Sequence, residues 1–368
     1  MWLLLVSFSV SLAAALWVVR SPGALEALAG DHDLSGPQKF HAHPVPRVGG
    51  VAIFAGVLAG AALAVQLEPP LAPLFGALLG ASLPTFLAGV AEDLTKSQSV
   101  RRRLLFTAVS AAVAAVIVDG VIVRTDIPGL DWLVSSPTGA LIVTVFVVTG
   151  VANAVNIIDG FNGLASMCVA LMLAGLTYVA FSVGDRQIAW MALVGIGALL
   201  GFFVLNFPAG LIFLGDGGAY FLGFYLAELA ILLLYRNPGV SPMFPLLLCI
   251  YPVFETLFSI YRRRWLRGRP VGMPDGAHLH SLIYRRFMRW AAHNVTAREL
   301  VRRNSMTSPY LWLLCSLSVV PAMLFYDSTP IQAACIVAFS VTYVALYWRI
   351  VRFQSPRWFA LRHRRHRG

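Results

Sequence analysis

Eleven runs of about 20 apolar residues follow one another along this chain, near residues 2–19, 48–67, 71–91, 104–123, 138–156, 163–183, 188–207, 213–234, 242–261, 309–326 and 330–349. That is the length at which a helix crosses the hydrocarbon of a bilayer. Backbone in that layer must satisfy its own hydrogen bonds, so repeated runs of this length leave a helical bundle as the fold. They are also too long and too uniformly apolar for barrel strands. Composition agrees: 58% of residues are hydrophobic and 12% charged, against roughly 25% charged in a soluble domain. We expect an all-α integral membrane protein with about 11 transmembrane helices.

The basic residues orient the bundle. If the N-terminus lies outside, the inner segments hold 25 of the 28 Lys and Arg, and the outer loops hold Arg124, Arg186 and Arg236. Cytoplasmic loops carry that excess, so the net charge of +11 marks loops facing anionic lipid rather than nucleic acid. Residues 1–19 read as a first span and not as a signal peptide, because the first basic residue, Arg20, follows the run instead of preceding it. Residues 1–350 form a single multi-span domain with one long inner loop, 262–308, and residues 351–368 are a basic cytoplasmic tail. Cys168, Cys249, Cys315 and Cys335 lie in apolar runs without metal or redox spacing and read as small hydrophobes.

Five polar clusters then fall on the inner side. In SGPQKFHAHPVPRVGG (Ser35–Gly50), Lys39 and Arg47 can bind phosphate and Gly49–Gly50 allow close approach. In GVAEDLTKSQSVRRRL (Gly89–Leu104), Glu92 and Asp93 can hold Mg²⁺ or act as a base, while Lys96 and the arginines from Arg101 to Arg103 can hold a pyrophosphate. Either stretch taken singly also fits an ordinary charged loop. NAVNIIDGFNGLA (Asn153–Ala165) places Asn153, Asn156 and Asp159 along one helix side. Such a stripe is costly inside a membrane unless it has partners or a function. FLGDGGAYFLGF (Phe213–Phe224) sets Asp216 between glycines at a helix start, where a cation and a phosphate can meet. PDGAHLHSLIYRRF (Pro274–Phe287) offers His278, His280, Arg285 and Arg286 for phosphate contact; no Cys supports zinc. Asp capping a helix and His held in a loop are the plain structural alternatives. Oxygen ligands for Mg²⁺ together with several cations suit phosphoryl transfer at a membrane face.

In this order the five clusters resemble the polyprenyl-phosphate N-acetylhexosamine-1-phosphate transferases, from Lys39 to Arg286. The resemblance implies a helical bundle with its active site on the cytoplasmic face of a bacterial inner membrane. It implies transfer of HexNAc-1-phosphate from a UDP-sugar to polyprenyl phosphate, with Mg²⁺ or Mn²⁺, as the first step of an envelope polysaccharide such as O-antigen. By the motif match, Asp216 binds the metal with Asn156 as second ligand, Phe213 packs on uracil, and Asn162 lies near the base. Glu92 and Asp93 match an acidic pair that is usually Asp-Asp, so the glutamate is a departure. Asn162 stands where many bacterial members have Asp, and Ser281 where a third His often stands.

These readings assign Glu92, Asp93, Asp159 and His280 to catalysis. Lys39, Arg47, Lys96, Arg101, Arg102, Asn153, Asn162, Phe213, His278 and Arg285 bind substrate, and Asp216 and Asn156 bind metal. The sugar stays open, as does assembly, a homodimer included. A transporter or lipid flippase is the rival reading, kept alive by Glu228 and Glu255 inside spans.

Overall fold

The computed structural model describes residues 1–21, 45–266, 268, 276–288 and 296–352, and every element within them is helical. In chain order these are α1 (Trp2–Arg20), α2 (Gly49–Leu67), α3 (Ala72–Thr95), α4 (Val100–Ile117), α5 (Pro128–Val134), α6 (Pro137–Ile158), α7 (Leu164–Ser182) and α8 (Arg186–Asn206). There follow α9 (Gly215–Arg236), α10 (Met243–Leu248), α11 (Ile250–Tyr261), α12 (Leu279–Ile283), α13 (Ala297–Leu324) and α14 (Thr329–Val351). Among the described residues, nine helices are long and apolar enough to cross a membrane. Two of the eleven expected spans fall short of that measure. α4 opens on Arg101, Arg102 and Arg103, and the run at 242–261 breaks at Cys249 into α10 and α11.

Local chemistry explains the boundaries. Ser99, Ser136, Asp185 and Thr296 each accept a backbone N–H from the first turn of the helix they precede. Pro128 and Pro137 sit in opening turns, where no N–H is missed. Outward-facing Leu83, Leu87, Phe146, Leu313 and Val341 are exposed, as a lipid-facing surface requires.

α9 is the axis of the bundle. It is apolar on every side and almost wholly buried. α3, α6, α2 and α8 pack around it, α1 closes on α2 and α8, and α13 packs on α7. At the first turn of α9 the approach is backbone to backbone. A Cβ on Gly50 would strike the backbone of Gly218, and one on Gly89 would lie 2.6 Å from the Cα of Gly217. Glycines here let α2 and α3 touch the start of α9 and bring the polar ends of three helices to one point.

The opposite end holds the three basic residues expected outside. Arg124 donates to the carbonyls of Asn237 and Val240, Arg236 pairs with Asp185 at 3.8 Å, and Arg186 lies over Trp190. The polar clusters and these three residues thus occupy opposite ends of the bundle. Cys168, Cys249 and Cys315 are buried and Cys335 half-buried, all as free thiols.

Candidate active site

The site grows from the first turn of α9. Gly215 takes a positive φ of 74°, and a Cβ there would lie 2.5 Å from Asp93 Oδ2 and would also strike the carbonyl of Arg47. Only glycine turns the chain in that space. Asp93, buried at the end of α3, accepts the backbone N–H groups of Asp216 (2.8 Å) and Gly217 (2.9 Å). Its carboxylate therefore caps the positive end of α9. The segment before α2 is tied to the same place: Phe213 N–H donates to Pro46, and the N–H groups of Gly49 and Gly50 donate to Phe213 and Leu214.

This frame aims Asp216 at two guanidiniums and an amide. Arg103 forms an ion pair with Oδ2, Arg47 reaches Oδ1 at 3.5 Å, and Asn156 Nδ2 donates to Oδ1 at 3.2 Å. One turn along α9, the Tyr220 hydroxyl donates to Asn153 Oδ1 at 3.2 Å, and the Tyr220 ring lies 5.7 Å from Arg103. α6 and α9 run antiparallel, so Asn156 and Asn153 meet Asp216 and Tyr220 in turn. Asp159 follows at the end of α6. Burial pushes its carboxyl up to about 7, with the nearby Arg47 guanidinium pulling the other way.

Beyond Asp159 lies the histidine pair. His280 is buried, packs edge-on against Phe161 at 5.4 Å, and approaches Gly160 so closely that a Cβ there would be 3.0 Å from Nε2. His278 stacks on His280, with centroids 5.2 Å apart and rings 13° from parallel. Behind them, Glu255 Oε1 accepts from His278 Nδ1 (2.9 Å) and Leu279 N–H (3.2 Å), and Oε2 accepts the Tyr343 hydroxyl (2.5 Å).

Comparison with known proteins matches this sequence to a family. A family model for glycosyl transferase family 4 matches residues 75–234, the stretch from α3 to α9. The chain is 31% identical over 286 residues to a probable undecaprenyl-phosphate N-acetylglucosaminyl 1-phosphate transferase of Bacillus subtilis, covering 76% of this chain and 77% of that one. The chain belongs to glycosyl transferase family 4. It is also 30% identical to the undecaprenyl-phosphate alpha-N-acetylglucosaminyl 1-phosphate transferase of Thermotoga maritima, over 69% of this chain and 72% of that one. A decaprenyl-phosphate N-acetylglucosaminephosphotransferase of Mycolicibacterium smegmatis is 25% identical over 92% of this chain and 88% of its own length.

As a family 4 membrane transferase, the chain gathers most of the residues marked in its sequence. Arg47, Asp93, Asn153, Asn156, Asp159 and Asp216 meet around the start of α9, and His278 and His280 adjoin Asp159 through Gly160 and Phe161. Phe213 holds the approach to α9 with its ring half-buried. Others lie apart. Glu92 accepts the Gln98 N–H at 2.6 Å and shapes the turn beyond α3. Lys96, Arg101, Arg102 and Arg285 are exposed, and Lys39 lies outside the described residues. Asn162 is buried in a junction with α13: its N–H donates to Asn304, its side-chain amide to Ser305, and its carbonyl accepts from Ser308. The structure thus gives Asn162 a joint to hold.

Two further residues, Arg103 and Tyr220, line the site. Of the three consecutive arginines it is Arg103 that pairs with Asp216. Arg103, Thr107 and Ser110 share one face of α4, where Thr107 and Ser110 bond to Thr85 of α3. That i, i+4, i+7 pattern was available in the sequence. Tyr220 stands four residues after Asp216, one helical turn, and the same spacing marks it.

The donor set also fits Mg²⁺. Among the described residues no three His, Cys, Asp or Glu side chains gather into a metal cage. Mg²⁺ needs none, since it is commonly held by one or two carboxylates together with substrate phosphates. Asp216 supplies the carboxylate, and the Asn156 amide beside it presents oxygen instead of nitrogen after a half-turn. Two arginines next to that carboxylate are what an arriving diphosphate requires.

Proposed function

We propose that this transferase moves an N-acetylhexosamine-1-phosphate from a UDP-sugar to a polyprenyl phosphate. The products are a polyprenyl-diphosphate sugar and UMP, and the reaction starts an envelope polysaccharide at the cytoplasmic face of a bacterial inner membrane. The observation that carries this reading is Asp216 at the α9 N-terminus, held between Arg47, Arg103 and Asn156 at the membrane edge. The relatives' names support the same reaction class: they act on undecaprenyl or decaprenyl phosphate and transfer N-acetylglucosaminyl 1-phosphate.

In this mechanism an oxygen of the lipid phosphate attacks the β-phosphorus of the UDP-sugar. The new P–O bond forms as the bond to the bridging oxygen breaks, and that oxygen leaves with UMP. The acceptor monoester is already largely ionised at neutral pH, its second pKa being about 6. Asp159, poised near 7, suits taking up what proton remains. Arg47 and Arg103 turn from Asp216 to the diphosphate and offset the charge that collects there. Asp93 keeps the α9 amides aimed at the same place. Mg²⁺, held by Asp216 and Asn156, would neutralise the diphosphate of the donor. His280, beside Gly160, and Phe213, on the approach to α9, are placed to meet the phosphates and the uracil.

The transporter reading loses half its support here. Glu255 has three donors on its two oxygens, so it is a structural ion and not an open site on a transport path. Purified protein with undecaprenyl phosphate and a panel of UDP-HexNAc donors tests the proposal. Release of UMP that requires both the lipid phosphate and a divalent cation is expected. Uptake of a sugar nucleotide into vesicles with no UMP formed would overturn it.

A further inference from the structure

Glu255 lies on α11, is 1% exposed, and sits in an otherwise apolar helix. A carboxylate there is costly unless its oxygens are fully engaged. Its partners come from two distant parts of the chain. His278 Nδ1 and the Leu279 N–H belong to the segment that carries the histidine pair, and Tyr343 belongs to α14. Arg262, seven residues on from Glu255, donates to the Ala277 carbonyl and to the Tyr347 hydroxyl at 2.6 Å. The Tyr347 hydroxyl also reaches the Ala277 carbonyl at 3.3 Å. Backbone and ring atoms of residues 277–279 are thus gripped by two charged groups, Glu255 of α11 and Arg262 just past its end, each braced by a tyrosine from α14. His280 follows immediately and stacks on the ring that Glu255 holds.

We propose that Glu255 is the positioning residue of the histidine pair. Its carboxylate commits Nδ1 of His278 as the N–H nitrogen, fixes the ring plane, and through the stack sets His280 beside Gly160. A carboxylate behind an imidazole does this wherever one ring nitrogen must be presented in a defined orientation. Tyr343 completes the device by holding the second carboxylate oxygen, so the last helix of the bundle reaches the site although it lies far beyond the matched family region. The inference rests on the transfer reaction proposed above for the function of the pair, but not for the contact itself.

The test is a double-mutant cycle on the full-length protein in lipid nanodiscs. Glu255→Ala is expected to lower kcat by about 10- to 100-fold, with KM for the UDP-sugar changed much less. His278→Ala should cost a similar factor, and the double variant little more than either single one, because both changes remove the same arrangement. Losses that multiply, or a kcat within threefold of wild type for Glu255→Ala, would overturn the proposal. If Glu255→Ala does not fold, Glu255→Gln takes its place in the cycle. It keeps one acceptor for His278 and loses the charge, so a smaller loss with the same non-additivity is expected. A second readout needs no turnover. The rate at which diethyl pyrocarbonate modifies His278, followed by peptide mass spectrometry, should rise several-fold in Glu255→Ala and less in Tyr343→Phe. An unchanged rate contradicts the positioning role. A wild-type protein that makes no UMP, yet shows the faster modification in the variant, would refute the proposed reaction and leave the clamp standing.

Discussion

Replacing Asp216 with asparagine separates two duties of that side chain. An amide preserves shape, and α9 is capped by Asp93 rather than by Asp216, so the fold should survive. It cannot pair with Arg103 and Arg47 or hold Mg²⁺ as a carboxylate does. UMP formation is expected to fall by about 100-fold or more at every Mg²⁺ concentration, with the thermal midpoint little changed; near-normal turnover at low Mg²⁺ would leave Asp216 as no more than an ion-pair partner of Arg47 and Arg103. Asp159 makes a prediction about pH. Its folded pKa, about 7, lies above the ordinary 3.8, so the folded protein binds the proton more tightly than the unfolded chain. Its contribution to stability is therefore present below about pH 4, declines as pH rises to about 7, and is flat above that. Asp159→Asn should remove this decline, so the gap in thermal midpoint between variant and wild type should widen from pH 5 to 7 in the variant's favour. Equal pH slopes would show that burial does not hold the proton. At this scale the sequence marks residues that the fold brings together where a residue type is costly in a membrane, as at Asp216, Asn156 and Asp159. It misled where choice depended on helix phase. Arg103 was hidden in a run of three arginines, and Glu255 waited for partners 23 and 88 residues away.

Close approach of helix backbones is what turns separate motifs into one site. Gly89→Ala tests this. The new methyl would lie 2.6 Å from backbone atoms of Gly217, which cannot rotate aside as a side chain can. Overpacking of this kind costs about 1–3 kcal/mol, and α3 must move away from α9, carrying Asp93 off the amides it caps. Turnover should drop more than stability does. Gly76→Ala on the same helix is the control, because its Cβ would meet nothing within 4 Å. That change should leave turnover intact and stability equal or slightly better. Loss of activity in both variants would mean that helix propensity, not the contact with α9, governs the site. Glycines beside the charged motifs were visible in the sequence as places of close approach, but which backbone they approach was not, since that requires knowing which helices are neighbours. The break of the run at 242–261 was equally hidden. Hydropathy is continuous through Cys249, while the helix is not.

Bundle and orientation have different grounds at the scale of the whole molecule. Length and apolarity alone specify a helical membrane bundle; among the described residues nine helices meet that measure, while α4 opens on arginines and the run at 242–261 is broken. Neither property says which end faces the cytoplasm; the basic residues do. All the gathered polar groups lie at the end shared by the start of α2, the end of α3, the start of α4, the end of α6 and the start of α9. Arg124, Arg186 and Arg236 hold the other end. The sequence topology assigns 25 of the 28 Lys and Arg to inner segments, which predicts that the site's side is cytoplasmic, where the UDP-sugar pool lies. A reporter fused after residue 368 should then be active only in its cytoplasmic form, and one placed in the α8–α9 connection should agree with it. A reporter inserted between α7 and α8, near Gly184, should be active only in its periplasmic form. That glycine has open space around it, so the insertion tests side and not fold. Periplasmic activity of the C-terminal fusion would place Asp216 on the side without sugar nucleotide and defeat the proposed reaction together with the orientation.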